Sequence, residues 1–108
     1  MAGTFEIRQY IKGGRSPFAE WFDDLDAVTA ARVDRSIRRL EAGNFGAAKS
    51  LHDGVFELRL DFGPGYRVYY GREGWTIIIL LGGGSKRRQD GDIAAAVERW
   101  KRYKQTKA

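Results

Sequence analysis

The sequence predicts a single α+β domain in which a helical hairpin packs on a small, mostly antiparallel sheet, with the element order β-α-α-β-β-β-α. Segments with a two-residue hydrophobic period and segments with helical spacing follow one another in that order. The chain has 108 residues, 43% hydrophobic and 31% charged, as in a folded globule. Because no repeat, linker or low-complexity segment divides it, residues 1–108 are expected to form one domain.

The first half of the chain predicts one strand and two helices. Residues 4–10 alternate apolar and charged side chains, which indicates a half-buried strand. Ser16 and Pro17 are a favourable N-cap and first residue for a short helix. Asp26 can cap a longer helix that stops at Gly43, since glycine readily adopts the left-handed conformation of a helix end. The longer helix has a predicted core stripe of Ala30, Val33, Ile37 and Leu40, and a predicted solvated face of Arg32, Arg35, Arg38 and Arg39.

The second half predicts a three-stranded meander. Residues 44–54 form a polar connection, and apolar and polar side chains then alternate over residues 55–62. A turn at residues 63–65 leads to a return strand over residues 66–70. Residues 75–81 are apolar on both faces, which predicts the central strand of the sheet.

The chain closes with a third predicted helix. Three glycines, residues 82–84, are expected to end the last strand, and the helix is expected to begin between Asp90 and Asp92. Its acids lie early and its bases late, as the helix dipole prefers. The predicted core stripe of this helix consists of Ile93, Val97 and Trp100.

The composition excludes several classes of function. The chain has no cysteine, so disulfide frameworks, thiolate zinc sites and cysteine nucleophiles are excluded. One histidine is too few for most metal clusters, and no metal or other cofactor is expected. The longest apolar run is far shorter than the roughly 20 residues of a membrane helix, so a cytoplasmic protein with no membrane partner is expected.

The charge of the chain indicates anionic partners. Its formal net charge is +5 and its pI is about 9.7. From Ser85 onward there are eight basic and three acidic residues, so the first 84 residues are neutral overall. The basic excess therefore lies in the last quarter of the chain.

Strand alternation predicts a cationic patch. The apolar side of residues 55–62 must cover the helices, so Arg59 and Arg67 are expected to project from adjacent strands onto one open sheet face. The next strand brings Lys86 to an end of that sheet, and Tyr69 is expected to form an aromatic floor. Such a patch suits a nucleic-acid backbone, because guanidinium groups bind phosphate and aromatic rings stack on bases.

A purely structural interpretation of these residues is equally open. Arg59 can pair with Glu57 or Asp61 on its own strand, as part of a solvated face. His52 is an ordinary loop residue in most contexts, although no other side chain here titrates near neutrality.

The sequence resembles a known family in three stretches. Residues 53–70 read DGVFELRLDFGPGYRVYY, residues 77–86 read IIILLGGGSK, and the opening Ser16-Pro17-Phe18 precedes Trp21 and Phe22. In these features the chain resembles the addiction-module killer proteins, which are phage-derived, HigB-like members of the RelE/ParE toxin superfamily.

The resemblance implies a RelE-like fold and a type II toxin neutralised by a cognate antitoxin protein. Its expected activity is ribosome-dependent cleavage of mRNA, in which the ribose 2′-hydroxyl attacks the adjacent phosphate without a metal. The resemblance assigns Arg67 and Lys86 to phosphate and transition-state stabilisation, and Arg59 to substrate positioning or proton transfer. Further contacts to the substrate are expected from Arg87, Tyr69, Lys49 and His52.

Two departures from the family pattern leave alternatives open. Glu57 stands where typical RelE nucleases have a further lysine, and no tyrosine closely follows Lys86. The general acid and base are therefore open among His52, Asp90 and Glu57. The alternative functions are a ParE-like inhibitor of DNA gyrase and a non-toxic nucleic-acid-binding domain.

Overall fold

The protein consists of a five-stranded mixed sheet with helices on both faces. The structure is a computed structural model, and it describes residues 4–107. The strand order across the sheet is β1-β5-β4-β3-β2, with β1 parallel to β5 and the other neighbours antiparallel. The elements in chain order are β1 Glu6–Gln9, α1 Pro17–Asp23, α2 Ala27–Glu41, β2 Ala48–Ser50, β3 Val55–Arg59, β4 Arg67–Glu73, β5 Ile77–Gly84, a 3₁₀ turn Lys86–Arg88 and α3 Gln89–Lys107. None of the helices in this part of the chain is both long and apolar enough to cross a bilayer.

The predicted α+β class is confirmed, and the predicted element order is confirmed with one addition. The polar connection at residues 44–54 contains the short edge strand β2, which pairs with β3. Three residues are too few to show a hydrophobic period, so only pairing with a neighbouring strand defines this element. Strand β3 also ends at Arg59, earlier than the alternation suggested, and a wide loop joins it to β4.

The two predicted N-caps are confirmed. Ser16 Oγ accepts a hydrogen bond from the Ala19 backbone amide at 3.0 Å, and Asp26 accepts from the Thr29 amide at 2.9 Å. The bonds from the Thr29 amide and hydroxyl lower the pKa of Asp26. At the other end of α2, Gly43 has a φ of +88°, as predicted for a left-handed helix stop.

One core lies between the helical hairpin and the sheet. Val33, Ile37 and Leu40 of α2 and Phe18 of α1 contact the inward side chains of β3, β4 and β5, among them Leu58. The predicted stripe of α2 is thus confirmed, although Ala30 is half-buried. This core fixes which face of each strand looks away from the hairpin.

Helix α3 covers the other face of the sheet, and the prediction of an open face there is wrong. Val55, Tyr69 and Leu81 form a second core with Val97 and Trp100 of α3. Trp100 is buried as predicted, and its ring lies against the backbone of Gly71. Helix α3, with 19 residues, crosses this face of the sheet. Alternate side chains of β3 and β4 therefore point into two different cores, and both faces of these strands are buried over most of their length.

The glycines at residues 82–84 continue β5 rather than end it. They pair with Tyr69, Val68 and Arg67 of β4, after a bulge between Tyr69 and Tyr70. Side chains from both layers approach this backbone closely. A Cβ at Gly83 would lie 2.3 Å from the Trp21 ring, and one at Gly84 would lie 1.9 Å from the Asp92 carboxylate. Glycine is needed here for close packing and not as a strand terminator.

Candidate functional site

A basic cleft lies at the end of the β3–β4 pair. Arg59 and Arg67 are directly opposite each other in the last register pair of these strands. The loop at residues 63–65 folds toward Lys86, whose backbone amide donates to the Pro64 carbonyl at 3.2 Å. All three cations line one cleft of about 350 Å³. The predicted convergence of Arg59, Arg67 and Lys86 is therefore present in the structure.

Arg67 is not a free surface cation. Only 5% of the residue is exposed, and its Nε lies 3.3 Å from Oε2 of Glu57, itself 1% exposed. Its Nη1 donates to the Gly65 carbonyl at 2.6 Å. Glu57 also accepts a hydrogen bond from Gln89 of α3 at 2.9 Å. Arg67 thus ties the cleft loop to the sheet, while Glu57 offsets its charge.

Arg59 and Lys86 are the solvent-exposed cations of the cleft. Both side chains are exposed. Among the described residues, neither has a carboxylate within 4.0 Å, so Arg59 pairs with neither Glu57 nor Asp61. Their charges are consequently available to an anion in the cleft.

Tyr69 does not form an aromatic floor on the surface, and this expectation is wrong. The residue is 1% exposed and lies in the core beneath α3. Burial, together with the negative charges of Glu57 and Asp92, raises the pKa of its hydroxyl. No base can stack on this ring, since α3 covers it.

Asp92 completes a polar cluster between the sheet and α3. Its Oδ2 is buried without a hydrogen-bond partner, as is the Tyr69 hydroxyl. Burial raises the pKa of Asp92, and Arg88 and Arg99 oppose that rise. Arg67 connects this cluster to the cleft, because it lines the cleft while its charge acts on the Tyr69 hydroxyl.

The remaining residues predicted to bind substrate lie outside this cleft. Lys49 is exposed on the edge strand β2, opposite Glu57 of β3. His52 lies beyond the opposite end of β3 from Arg59, and its Nδ1 is 2.8 Å from the Asp53 carboxylate. Hydrogen bonding with His52 lowers the pKa of Asp53. Arg87 is exposed in the 3₁₀ turn next to Lys86 but does not line the cleft.

The residues that line the cleft all lie within the part of the chain that matches a known protein family. A family model described as "Phage derived protein Gp49-like (DUF891)" matches residues 20–104. The chain belongs to this Gp49-like family. A protein of Haemophilus influenzae (strain ATCC 51907 / DSM 11121 / KW20 / Rd), described as "Uncharacterized protein", is 48% identical over 80 residues, which is 73% of this chain and 81% of the relative.

Two further polar side chains line the cleft of this Gp49-like protein. Asp61 and Tyr66 both line it beside Arg59. Asp61 is exposed, whereas Tyr66 is half-buried with its ring against Phe62 at a centroid distance of 5.4 Å. The alternating pattern predicted both residues to lie in strands. It did not indicate that the chain leaves the sheet after Arg59.

A second basic cleft, of about 300 Å³, adjoins the first. It is lined by Arg32, Arg35 and Arg39 of α2 together with Arg59 and the segment that follows it. The sequence did show these arginines on one helix face, but it did not show that this face borders the β3–β4 loop. Within residues 4–107, no three His, Asp or Glu side chains are grouped as they are around a metal ion.

Proposed function

We propose that this Gp49-like protein is the toxin of a type II toxin–antitoxin pair and inhibits translation by cutting mRNA on the ribosome. The meeting of Arg59, Arg67 and Lys86 in one cleft supports this proposal most directly. Fixed cations stabilise the negative charge that grows on a phosphate during cleavage. The phage-derived family and the resemblance to HigB-like members of the RelE/ParE superfamily support the same activity.

The proposed reaction is an internal transesterification of RNA. The ribose 2′ oxygen forms a bond to the adjacent phosphorus while the bond from phosphorus to the 5′ oxygen breaks. The products are a 2′,3′-cyclic phosphate and a free 5′-hydroxyl. A base accepts the proton of the 2′-hydroxyl, and an acid donates a proton to the leaving 5′ oxygen.

The structure favours a different division of roles among the three cations from the one that the resemblance implies. Arg59 and Lys86 are exposed, so we assign them to the non-bridging phosphate oxygens. We assign Arg67 to positioning, because it is buried and bound to Glu57 and to the Gly65 carbonyl. Its bond to Gly65 holds the loop against which Lys86 is placed.

Asp61 and Tyr66 are the proposed proton-transfer groups. Both line the cleft, and a carboxylate and a phenol can each exchange a proton with substrate oxygens. Glu57 is a poor base because it is almost completely buried and already bound to Gln89 and Arg67. His52 lies beyond the far end of β3.

The proposed partners are the ribosome with its mRNA and a cognate antitoxin protein. Translation takes place in the cytoplasm, which is therefore the expected location. The resemblance of the chain to HigB-like toxins supports both partners, and its net charge of +5 suits a ribosomal RNA surface.

Induction in a bacterium that lacks any antitoxin tests the proposal. We expect growth arrest together with new mRNA ends inside reading frames, mapped by sequencing of transcript ends. Arg59→Ala and Lys86→Ala should each reduce cleavage by about 10²-fold, the usual cost of removing a group that stabilises the transition state.

Arg38→Ala is the matched control. Arg38 is an exposed arginine of α2 that already pairs with Asp34 and Glu41, away from both clefts, so cleavage should be unchanged. Growth arrest with intact mRNA and altered DNA supercoiling would instead indicate a gyrase inhibitor. Harmless overexpression would contradict a toxin altogether.

A further inference from the structure

The arginines of α2 form an anion-binding path that continues the candidate active cleft. The α2 cleft, defined by Arg32, Arg35 and Arg39 on one side, shares residues 59–62 with the first cleft. Arg59 therefore lies at the junction of the two. A chain bound at the first cleft can continue into the second without leaving the protein surface.

The charges of this path are not neutralised by neighbouring acids. Among the described residues, Arg32, Arg35 and Arg39 have no carboxylate within 4.0 Å. Arg38, which lines neither cleft, lies 3.6 Å from Asp34 and 2.9 Å from Glu41. Helix α2 thus pairs its arginine away from the cleft and leaves those in the cleft free.

The α2 cleft has the chemistry of a phosphate-binding surface. Its lining combines four arginines with one carboxylate, Asp61. The Arg32 guanidinium lies 4.8 Å from the centre of the Phe62 ring, an arrangement that restrains it over the cleft. Guanidinium groups bind phosphate oxygens in pairs, and they hold their charge at any physiological pH.

The spacing of the arginines suits a polyanion rather than one ion. Positions i, i+3 and i+7 extend about 10 Å along a helix. One strand of a helical nucleic acid has a phosphate about every 3.4 Å of its axis, so the three arginines can contact more than one phosphate. A helical protein partner would instead need apolar anchors, and arginine side chains dominate this lining.

We propose that the α2 cleft binds the sugar–phosphate backbone of the RNA strand that continues from the bond cleaved in the first cleft. This inference rests on the proposed function for the identity of the strand. Because arginine–phosphate contacts do not read bases, the α2 cleft contributes affinity and register but no sequence preference.

Salt-dependent RNA binding by the purified full chain tests this path. The probe is a fluorescently labelled single-stranded RNA with 2′-O-methyl groups throughout, which removes the nucleophile and prevents cleavage. The slope of log K against log salt is negative, and each lost phosphate contact reduces its magnitude by about 0.7 for a single strand. The variant Arg32→Gln/Arg35→Gln/Arg39→Gln should therefore have a slope whose magnitude is smaller by about 2.

Arg38→Gln is the matched control and should bind as the wild type does. Because the three substituted side chains are exposed, circular dichroism and urea midpoints are expected to be unchanged. If the triple variant fails to fold, the single changes Arg35→Gln and Arg39→Gln should each reduce the magnitude of the slope by about 0.7.

An unchanged slope in the folded variants overturns the proposal. It is also overturned if these variants keep RNA binding but lose binding of a labelled polyglutamate peptide, which would assign the cleft to an acidic protein. A slope of reduced magnitude in variants of a protein that cuts no mRNA supports the RNA path and contradicts the nuclease function, so the two failures are distinguishable.

Discussion

Arg67 and Glu57 form a buried ion pair directly behind the exposed cations of the cleft. Each side chain is almost fully removed from solvent. Arg67 also donates to the Gly65 carbonyl and Glu57 accepts from Gln89, whereas Arg67 Nε is buried without a hydrogen-bond partner. Burying an ion pair costs desolvation free energy, and a buried charge without its partner costs considerably more. The pair therefore has structural consequences that Arg59, with its solvated guanidinium, does not have.

Breaking the pair should destabilise the fold. Arg67→Met leaves the Glu57 carboxylate buried without its cation, and we expect the free energy of unfolding to fall by about 3–5 kcal/mol. Glu57→Gln/Arg67→Met removes both charges and should recover most of that loss. Urea denaturation followed by circular dichroism measures both variants.

Arg59→Ala is the control for this pair, because an exposed substitution usually changes stability by less than about 0.5 kcal/mol. If Arg67→Met were as stable as Arg59→Ala, the pair would not hold the cleft wall. The comparison also tells whether lost cleavage in an Arg67 variant reflects chemistry or unfolding.

At the scale of the elements, the helices pack on the sheet through contacts between tryptophan rings and the backbone of strand glycines. The Trp100 ring of α3 lies against Gly71 of β4, and the Trp21 ring of α1 lies against Gly83 of β5. The two contacts are on opposite faces of the sheet. They set how closely each helical layer approaches the strands.

Gly71→Ala should displace α3 from the sheet. The added methyl would lie 2.5 Å from a ring atom of Trp100, a buried side chain with little room to move. Overpacking of this kind costs about 1–3 kcal/mol. A lower urea midpoint and a shifted Trp100 environment in near-ultraviolet circular dichroism are the expected results.

Gly91→Ala, in α3 itself, should have the opposite effect on the free energy of unfolding. Gly91 lies near the start of α3 with nothing within 4 Å of an added Cβ, so alanine should stabilise the helix by about 0.5–1 kcal/mol. Equal effects at Gly71 and Gly91 would contradict the packing role of Gly71.

At the scale of the whole molecule, one sheet serves two cores. Neighbouring residues of β4 and β5 alternate between the hairpin core and the α3 core, as Tyr70 and Tyr69 do. Neither core can lose its strands without exposing the other. The two layers should therefore unfold together, in a single transition.

Single-tryptophan variants test this coupling. Trp75→Phe/Trp100→Phe leaves Trp21 as a probe of the hairpin core, and Trp21→Phe/Trp75→Phe leaves Trp100 as a probe of the α3 core. Trp75 is 89% exposed, so its replacement removes background at little cost. Within each variant, fluorescence and far-ultraviolet circular dichroism should give one urea midpoint; two separate midpoints would show independent layers.

The sequence by itself determined the element types apart from β2, together with the caps and the hairpin core. The helix ends depend on local features, namely the cap hydrogen bonds of Ser16 and Asp26 and the positive φ of Gly43. Such features can be predicted from the sequence because they involve only neighbouring residues. The alternation of β3 and β4 also identified Arg59 and Arg67 as residues of one face. Local periodicity carries this information because side chains alternate across every strand.

Only the tertiary structure decided what covers each face. The return of α3 across the sheet buried Tyr69 and Glu57, turned Arg67 into half of an ion pair and left Arg59 with Lys86 as solvated cations. It also placed the α2 arginines beside the β3–β4 loop. These outcomes depend on contacts between residues far apart in the chain, and an alternating pattern shows that two faces differ without showing what each one meets.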